Sequence, residues 1–145
     1  MQIEEKLQSM AARSPWLYRI NAGSCNGCDV ELATTALIPR YDVERLGCKY
    51  CGSPKHADIV LITGPVTAQV KDKVLRVYNE IPEPKVTVAV GICPVSGGVF
   101  RESYSIPGPL DSILPVDVNV PGCPPRPQAI IEGVAKALEL WKTRI

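Results

Sequence analysis

Four short segments of the chain are rich in Ile, Val and aromatic residues, and each runs into Gly, Pro or Cys: Trp16–Asn21, Ala57–Thr63, Lys85–Gly91 and Leu114–Val120. Segments of this kind read as strands. The runs ADIVLIT and KVTVAV are nearly continuous in apolar residues, which suits parallel strands covered on both faces, since a half-wet antiparallel strand alternates apolar and polar positions. Helical spacing supplies the covers. Over Thr67–Ile81 the residues Val70, Val74, Val77, Tyr78 and Ile81 fall on one face, and Pro82 and Pro84 stop the helix. A second helix is predicted over Pro127–Arg144, with Ile130, Ile131, Val134, Leu138 and Trp141 as its buried stripe and Pro127 in its first turn. A shorter one fits Asp29–Leu37. Strands alternating with helices predict one α/β domain, a three-layer sandwich with a mainly parallel sheet and right-handed crossovers, over residues 14–145 after an extension of residues 1–13.

Between these elements, Val43–Leu46 reads as a further short strand, and Val95–Pro109 is too polar and too broken by Gly and Pro to be an element. A loop of that length is more often functional than accidental. Trp16 and Trp141 are expected in the core. Composition narrows the function. With 145 residues, 46% hydrophobic and 21% charged, the chain has enough apolar material for one real core and is not disordered. Sixteen Lys and Arg against fifteen Asp and Glu leave a net charge of +1 with no basic run, so nucleic acid is not an expected partner. The longest uncharged stretch, Val86–Phe100, is interrupted by Gly91, Pro94, Gly97 and Gly98 and does not suit a spanning helix. The first residues, MQIEEKLQSMAAR, mix charges and lack the apolar run of a secretory signal, which points to the reducing cytosol. There, six cysteines are better read as metal ligands or redox thiols than as a disulfide framework.

Four of the six share one kind of address: Cys25 and Cys28 follow the first predicted strand, Cys93 the third and Cys123 the fourth. In an open parallel sheet the strand C-termini lie along one edge, where ligand crevices form, so cysteines far apart in sequence can converge there. Gly23, Gly27, Gly91 and Gly122 lie near the thiols and let backbone approach a bulky ligand, while Pro94 and Pro124 stiffen the loops. Four thiolates satisfy either a structural zinc or a [4Fe–4S] cluster, with unlinked thiols or a disulfide pair as the remaining readings. One CxxC joined by two distant single cysteines, at the edge of a core that needs no staple, favours iron–sulfur over the paired knuckles of a zinc-stabilised interaction module.

Cys25-Asn26-Gly27-Cys28, the Gly91-Ile92-Cys93-Pro94 loop with Gly97-Gly98, and Gly122-Cys123-Pro124-Pro125-Arg126-Pro127 together resemble the 20-kilodalton subunit family of respiratory complex I and the small subunits of [NiFe] hydrogenases, from about Ser14 to Lys142. The resemblance implies a flavodoxin-like α/β domain that holds one [4Fe–4S] cluster through Cys25, Cys28, Cys93 and Cys123. It also implies a large catalytic subunit to which the cluster delivers electrons. The quinone-reducing branch of the family has two adjacent cysteines at the first motif, whereas Asn26 and Gly27 separate them here, as in hydrogenases. Only Cys48 and Cys51 remain, too few for another four-thiolate site. This combination is similar to membrane-associated, energy-converting hydrogenase complexes, which implies a ferredoxin-like iron–sulfur subunit, antiporter-like membrane subunits that move ions, and a peripheral place on the inner face of the cell membrane. Sulfur-reducing and quinone-reducing complexes share the architecture.

The other chemistry-bearing residues have plainer readings beside functional ones. Cys48 and Cys51 form a second CxxC near His56, read first as reduced thiols in a surface turn, with a disulfide switch or half a metal site as rivals. His56 itself reads as a hydrogen-bonding loop residue. Glu31 is either a proton relay beside the cluster or an acid stabilising the first turn of a helix. Arg126 is either a cation that raises the potential of an adjacent cluster or half of a surface salt bridge. FMN, the ligand of many flavodoxin-like domains, is disfavoured because the first loop spends its positions on cysteines instead of a Ser/Thr phosphate cradle.

Overall fold

Every strand of the single sheet runs parallel to its neighbours. The computed structural model describes residues 3–5, 9 and 14–145, so most of the expected 1–13 extension lies outside the described residues. The strands are β1 (Trp16–Asn21), β2 (Lys49–Tyr50), β3 (Ile59–Thr63), β4 (Val86–Val90) and β5 (Val118–Val120), in the order β2-β1-β3-β4-β5. That order is the doubly wound, flavodoxin-like one. The helices are α1 (Gly27–Leu37), α2 (Lys71–Glu80), the five-residue α3 (Ile92–Ser96) and α4 (Pro127–Arg144).

The two central strands, IVLIT and VTVAV, are buried at every position, which is why their sequences do not alternate. Ile59, Leu61, Val86, Val88 and Val90 pack with Leu32 of α1 and with Ile130, Val134, Ala137, Leu138 and Trp141 of α4. Val60, Ile62 and Ala89 face the opposite layer, where Val74 and Tyr78 of α2 meet Leu110 and Leu114. The α/β three-layer sandwich thus has two apolar seams. α2 stops before Pro82, and the buried Lys85 fixes its end by donating to the carbonyls of Tyr78 (3.1 Å) and Ile81 (3.3 Å).

Several boundaries differ from the sequence reading, each for a local reason. Val43–Leu46 is a 3-10 turn closed by Gly47 in the left-handed region, and the fifth strand is instead Lys49–Tyr50, paired with Trp16 and Leu17. Only Val118–Val120 of the Leu114–Val120 segment is strand, because Pro115 has no N–H for a ladder. The long segment after β4 begins as α3 and continues through a 3-10 turn at 98–100. Trp16 opens β1 37% exposed, its ring edge-on to His56 at 6.0 Å, so it is not a core residue, whereas Trp141 is.

Candidate metal centre

The cysteine loops leave the C-terminal edge of the sheet and are laced to one another by backbone. The loop after β4 is tied to the loop after β5, since the Gly91 N–H donates to Val120 O (2.7 Å) and the Ile92 N–H to Gly122 O (2.9 Å). This brings the segments of Cys93 and Cys123 together. The loop after β1 leans on β3, with the Ala22 N–H donating to Thr63 O at 3.0 Å and the Ser24 backbone seated against Gly64. Gly64 has φ +80°, and any Cβ there would collide with that backbone. Asn26 takes the left-handed conformation, φ 70°, and turns the chain into α1, so Cys25 and Cys28 lie on either side of the helix start.

Two of the four thiols, Cys28 and Cys93, are raised by their surroundings. Burial pushes the Cys28 thiol up to about 11, and Cys93, Cys25, Cys123 and Asp29 add to the rise in that order. Cys93 is raised by burial and then by Cys123 and Cys25. Burial disfavours each thiolate first, and the charge of the neighbouring sulfurs adds repulsion. A bound polynuclear metal core reverses that balance. Cys28 is buried, Cys93 half-buried, and Cys25 and Cys123 reach the surface; none of the six cysteines is in a disulfide. Among the described residues no three His, Cys, Asp or Glu side chains crowd around one ion. A tetrahedral zinc needs its sulfurs about 2.3 Å from a common centre. A [4Fe–4S] cluster is likewise held by four Cys thiolates.

Behind Cys28 lies a polar group that the sequence reading missed. Asp29, 7% exposed, accepts from Thr63 Oγ1 (2.8 Å) and Asn21 Nδ2 (2.9 Å) and pairs with Arg19 (3.0 Å). The signal was present as an acid directly after the ligand motif and an Asn at the end of the strand before it. Glu31, by contrast, sits in the second turn of a helix that starts at Gly27, so it is not a first-turn acid; that position is held by Asp29. Arg126 is exposed at the start of α4, and no described carboxylate pairs with it, so the surface salt bridge is not formed.

Cys48 and Cys51 stand apart from this centre. Cys48 is 3% exposed in the α1/α4 seam and donates to Val43 O, while Cys51 packs toward the α2 seam and donates to Ser53 O. Both are free thiols, as read from the sequence, but Cys48 is buried and Cys51 half-buried, so the pair does not sit in a surface turn. His56 lies on the surface against Trp16.

The sequence model of the NADH ubiquinone oxidoreductase 20 kDa subunit family matches residues 25–137. The chain belongs to this family. Within it, the chain is similar to the Pyrococcus furiosus protein named "Probable membrane-bound hydrogenase subunit mbhJ", 57% identical over 134 residues that make up 92% of this chain and 80% of that protein. It is 43% identical to formate hydrogenlyase subunit 7 of Escherichia coli, over all of this chain and 59% of the relative. Among solved structures, a chain of the membrane-bound sulfane sulfur reductase, an archaeal respiratory membrane complex, superposes with a TM-score of 0.80 at 34% identity, covering 97% of this chain and 77% of that one. Family members named in these comparisons are subunits of hydrogenase and complex I-like oxidoreductases. No helix among the described residues is long and apolar enough to cross a membrane.

Proposed function

We propose that this chain is the electron-transfer subunit of a membrane-bound, ion-pumping hydrogenase complex, holding one [4Fe–4S] cluster on Cys25, Cys28, Cys93 and Cys123. The observation that supports the reading is the meeting of the cysteine loops at one sheet edge, where the backbone of the Cys93 loop is hydrogen-bonded to that of the Cys123 loop and the Cys28 sulfur lies against Gly91. Bound there, the cluster accepts and returns one electron at a time. The chain's own part is to fix four sulfurs, to leave room for the cluster through Gly91, and to hold one polar pair, Asp29 and Arg19, beside the buried ligand.

Electrons would arrive from a ferredoxin-like subunit and leave to a large catalytic subunit carrying the [NiFe] centre, with Glu31 available as a proton relay at that interface. The exposed Val30, Val99 and Phe100 and the fully exposed Tyr104 flank the cysteine loops and suit a protein-covered edge. Attachment to the membrane would run through antiporter-like partner subunits, with this chain peripheral on the cytoplasmic face. The Cys-Asn-Gly-Cys spacing favours hydrogenase over the quinone-reducing branch, and the 57% identity to mbhJ favours it over the sulfur-reducing relative at 34%.

Anaerobically purified chain is expected to carry about four irons and no stoichiometric zinc. A colourless chain with one tightly bound zinc overturns the cluster. The intact complex is expected to evolve hydrogen from reduced ferredoxin; reduction of sulfur or quinone without hydrogen retains the relay and removes the hydrogenase assignment.

A further inference from the structure

We infer that Asn21 and Asp29 form a directional brace that positions the Cys25–Cys28 loop, an inference that rests on the reading of those cysteines as cluster ligands. Asn21 ends β1. Its Oδ1 accepts from two successive backbone N–H groups, those of Gly23 (3.0 Å) and Ser24 (2.9 Å), which only the carbonyl side of the amide can do. Its Nδ2 is therefore turned to Asp29 Oδ2 at 2.9 Å, with Asn26 Oδ1 at 3.4 Å. Asp29 is held from the other side by the buried hydroxyl of Thr63, and Thr63 is the register partner of Asn21 across β1 and β3. Thr63 thus donates to Asp29, Asn21 donates to Asp29, and the loop backbone donates to Asn21.

The two cysteines lie inside this closed circuit, between residues 21 and 29. An acid in a first helical turn commonly serves the exposed helix N–H groups, yet α1 has no side-chain cap bond and both Asp29 oxygens are spent on strand side chains. Its work is to tie the helix start to the sheet.

The direction of the Asn21–Asp29 bond supplies the test. Asn21→Asp sets two carboxylates against each other. Combined with Asp29→Asn, the bond reverses: residue 21 still accepts from Gly23 and Ser24, residue 29 donates to it and still accepts from Thr63, the half-exposed Arg19 keeps a neutral oxygen in place of its ion pair, which costs little in water, and the net charge equals that of the parent. In anaerobically purified full-length chain, Asn21→Asp is expected to release iron to a chelator roughly 10–100-fold faster, and the double variant to return within about threefold of the parent. Amide exchange of segment 22–28 should rise and fall in parallel. Parental iron release and exchange in Asn21→Asp, or a double variant as defective as the single, overturns the brace. If Asn21→Asp does not fold, a folded, protected double variant supports the brace and an unfolded one overturns it. Parent chain without iron removes the cluster reading alone, and exchange of segment 22–28 then decides the brace.

Discussion

The Cys28 sulfur rests against the bare Cα of Gly91: a side chain on residue 91 would place its Cβ 2.6 Å from Sγ. Residue 91 also has φ +92°, a conformation costly to any residue with a Cβ. Gly91→Ala therefore carries about 1–3 kcal/mol of backbone strain in addition to the displaced sulfur. Iron per chain is expected to fall sharply, and the thermal midpoint to drop by several degrees. Full iron occupancy in Gly91→Ala would show that the Cys28 sulfur is not held in this place.

Cys48 gives the contrasting case. Its thiol is pushed up to about 11, first by burial, and it lies in the core away from the cysteine edge. Because thiolate is the reactive form, Cys48 should resist alkylation at neutral pH until the chain unfolds. Cys48→Ala is expected to keep its iron while losing about 1 kcal/mol of stability from the vacated volume. Cys93→Ala and Cys123→Ala should do the reverse, losing iron with little change in the fold. Iron loss in Cys48→Ala would show that the ligand set is misassigned.

Much of this arrangement was legible in the sequence because long-range order in a parallel sheet follows from local pattern. The unbroken apolar runs of β3 and β4 announce strands covered on both sides, and the loops after β1, β4 and β5 announce the meeting of Cys28, Cys93 and Cys123 at one edge. What the sequence hid was set by tertiary contact. β2 is two residues long, too short to show a period, and exists because it pairs with Trp16 and Leu17. Asp29 and Asn21 carry no pattern of their own, because what joins them to the sheet includes Thr63, far along the chain, which donates to Asp29 beside Asn21. Trp16 is as apolar as Trp141, and only its place at the end of a strand leaves it in water.

Asp58 gives a pH dependence whose sign is fixed by burial. Its carboxyl is raised above the ordinary value of 3.8, chiefly by burial, although the Trp16 N–H donating at 2.9 Å acts the other way. The native chain then holds this proton to higher pH than the unfolded chain. The contribution to stability is complete below 3.8 and is lost as pH rises through the raised value. Asp58→Asn keeps an oxygen for the Trp16 N–H and does not ionise, so it should remove this slope and be as stable as the parent, or more so, at neutral pH. Asp58→Ala should lose about 1 kcal/mol with the hydrogen bond. Denaturant midpoints measured from pH 3 to 7 check both, and an unchanged slope in Asp58→Asn assigns the pH dependence to other groups.

Arg126 follows Cys123-Pro124-Pro125 and precedes the first residue of α4. A cation at a helix N-terminus opposes the helix dipole, and no described carboxylate offsets it here. A cluster that gains negative charge on reduction is the compensating partner that the position suits. Removing the cation should then favour the oxidised state, because the reduced cluster loses a Coulombic partner while its four sulfurs stay in place. Arg126→Gln is expected to lower the midpoint potential by an amount on the order of tens of millivolts, given the exposure of the side chain and the screening that follows. Arg126→Lys, which keeps the charge, should restore most of the shift. Iron content should be the same in all three proteins, and ferredoxin-driven turnover should slow only in Arg126→Gln. A redox titration that finds one potential for all three makes Arg126 a structural residue of the loop and leaves the ligand assignment untouched.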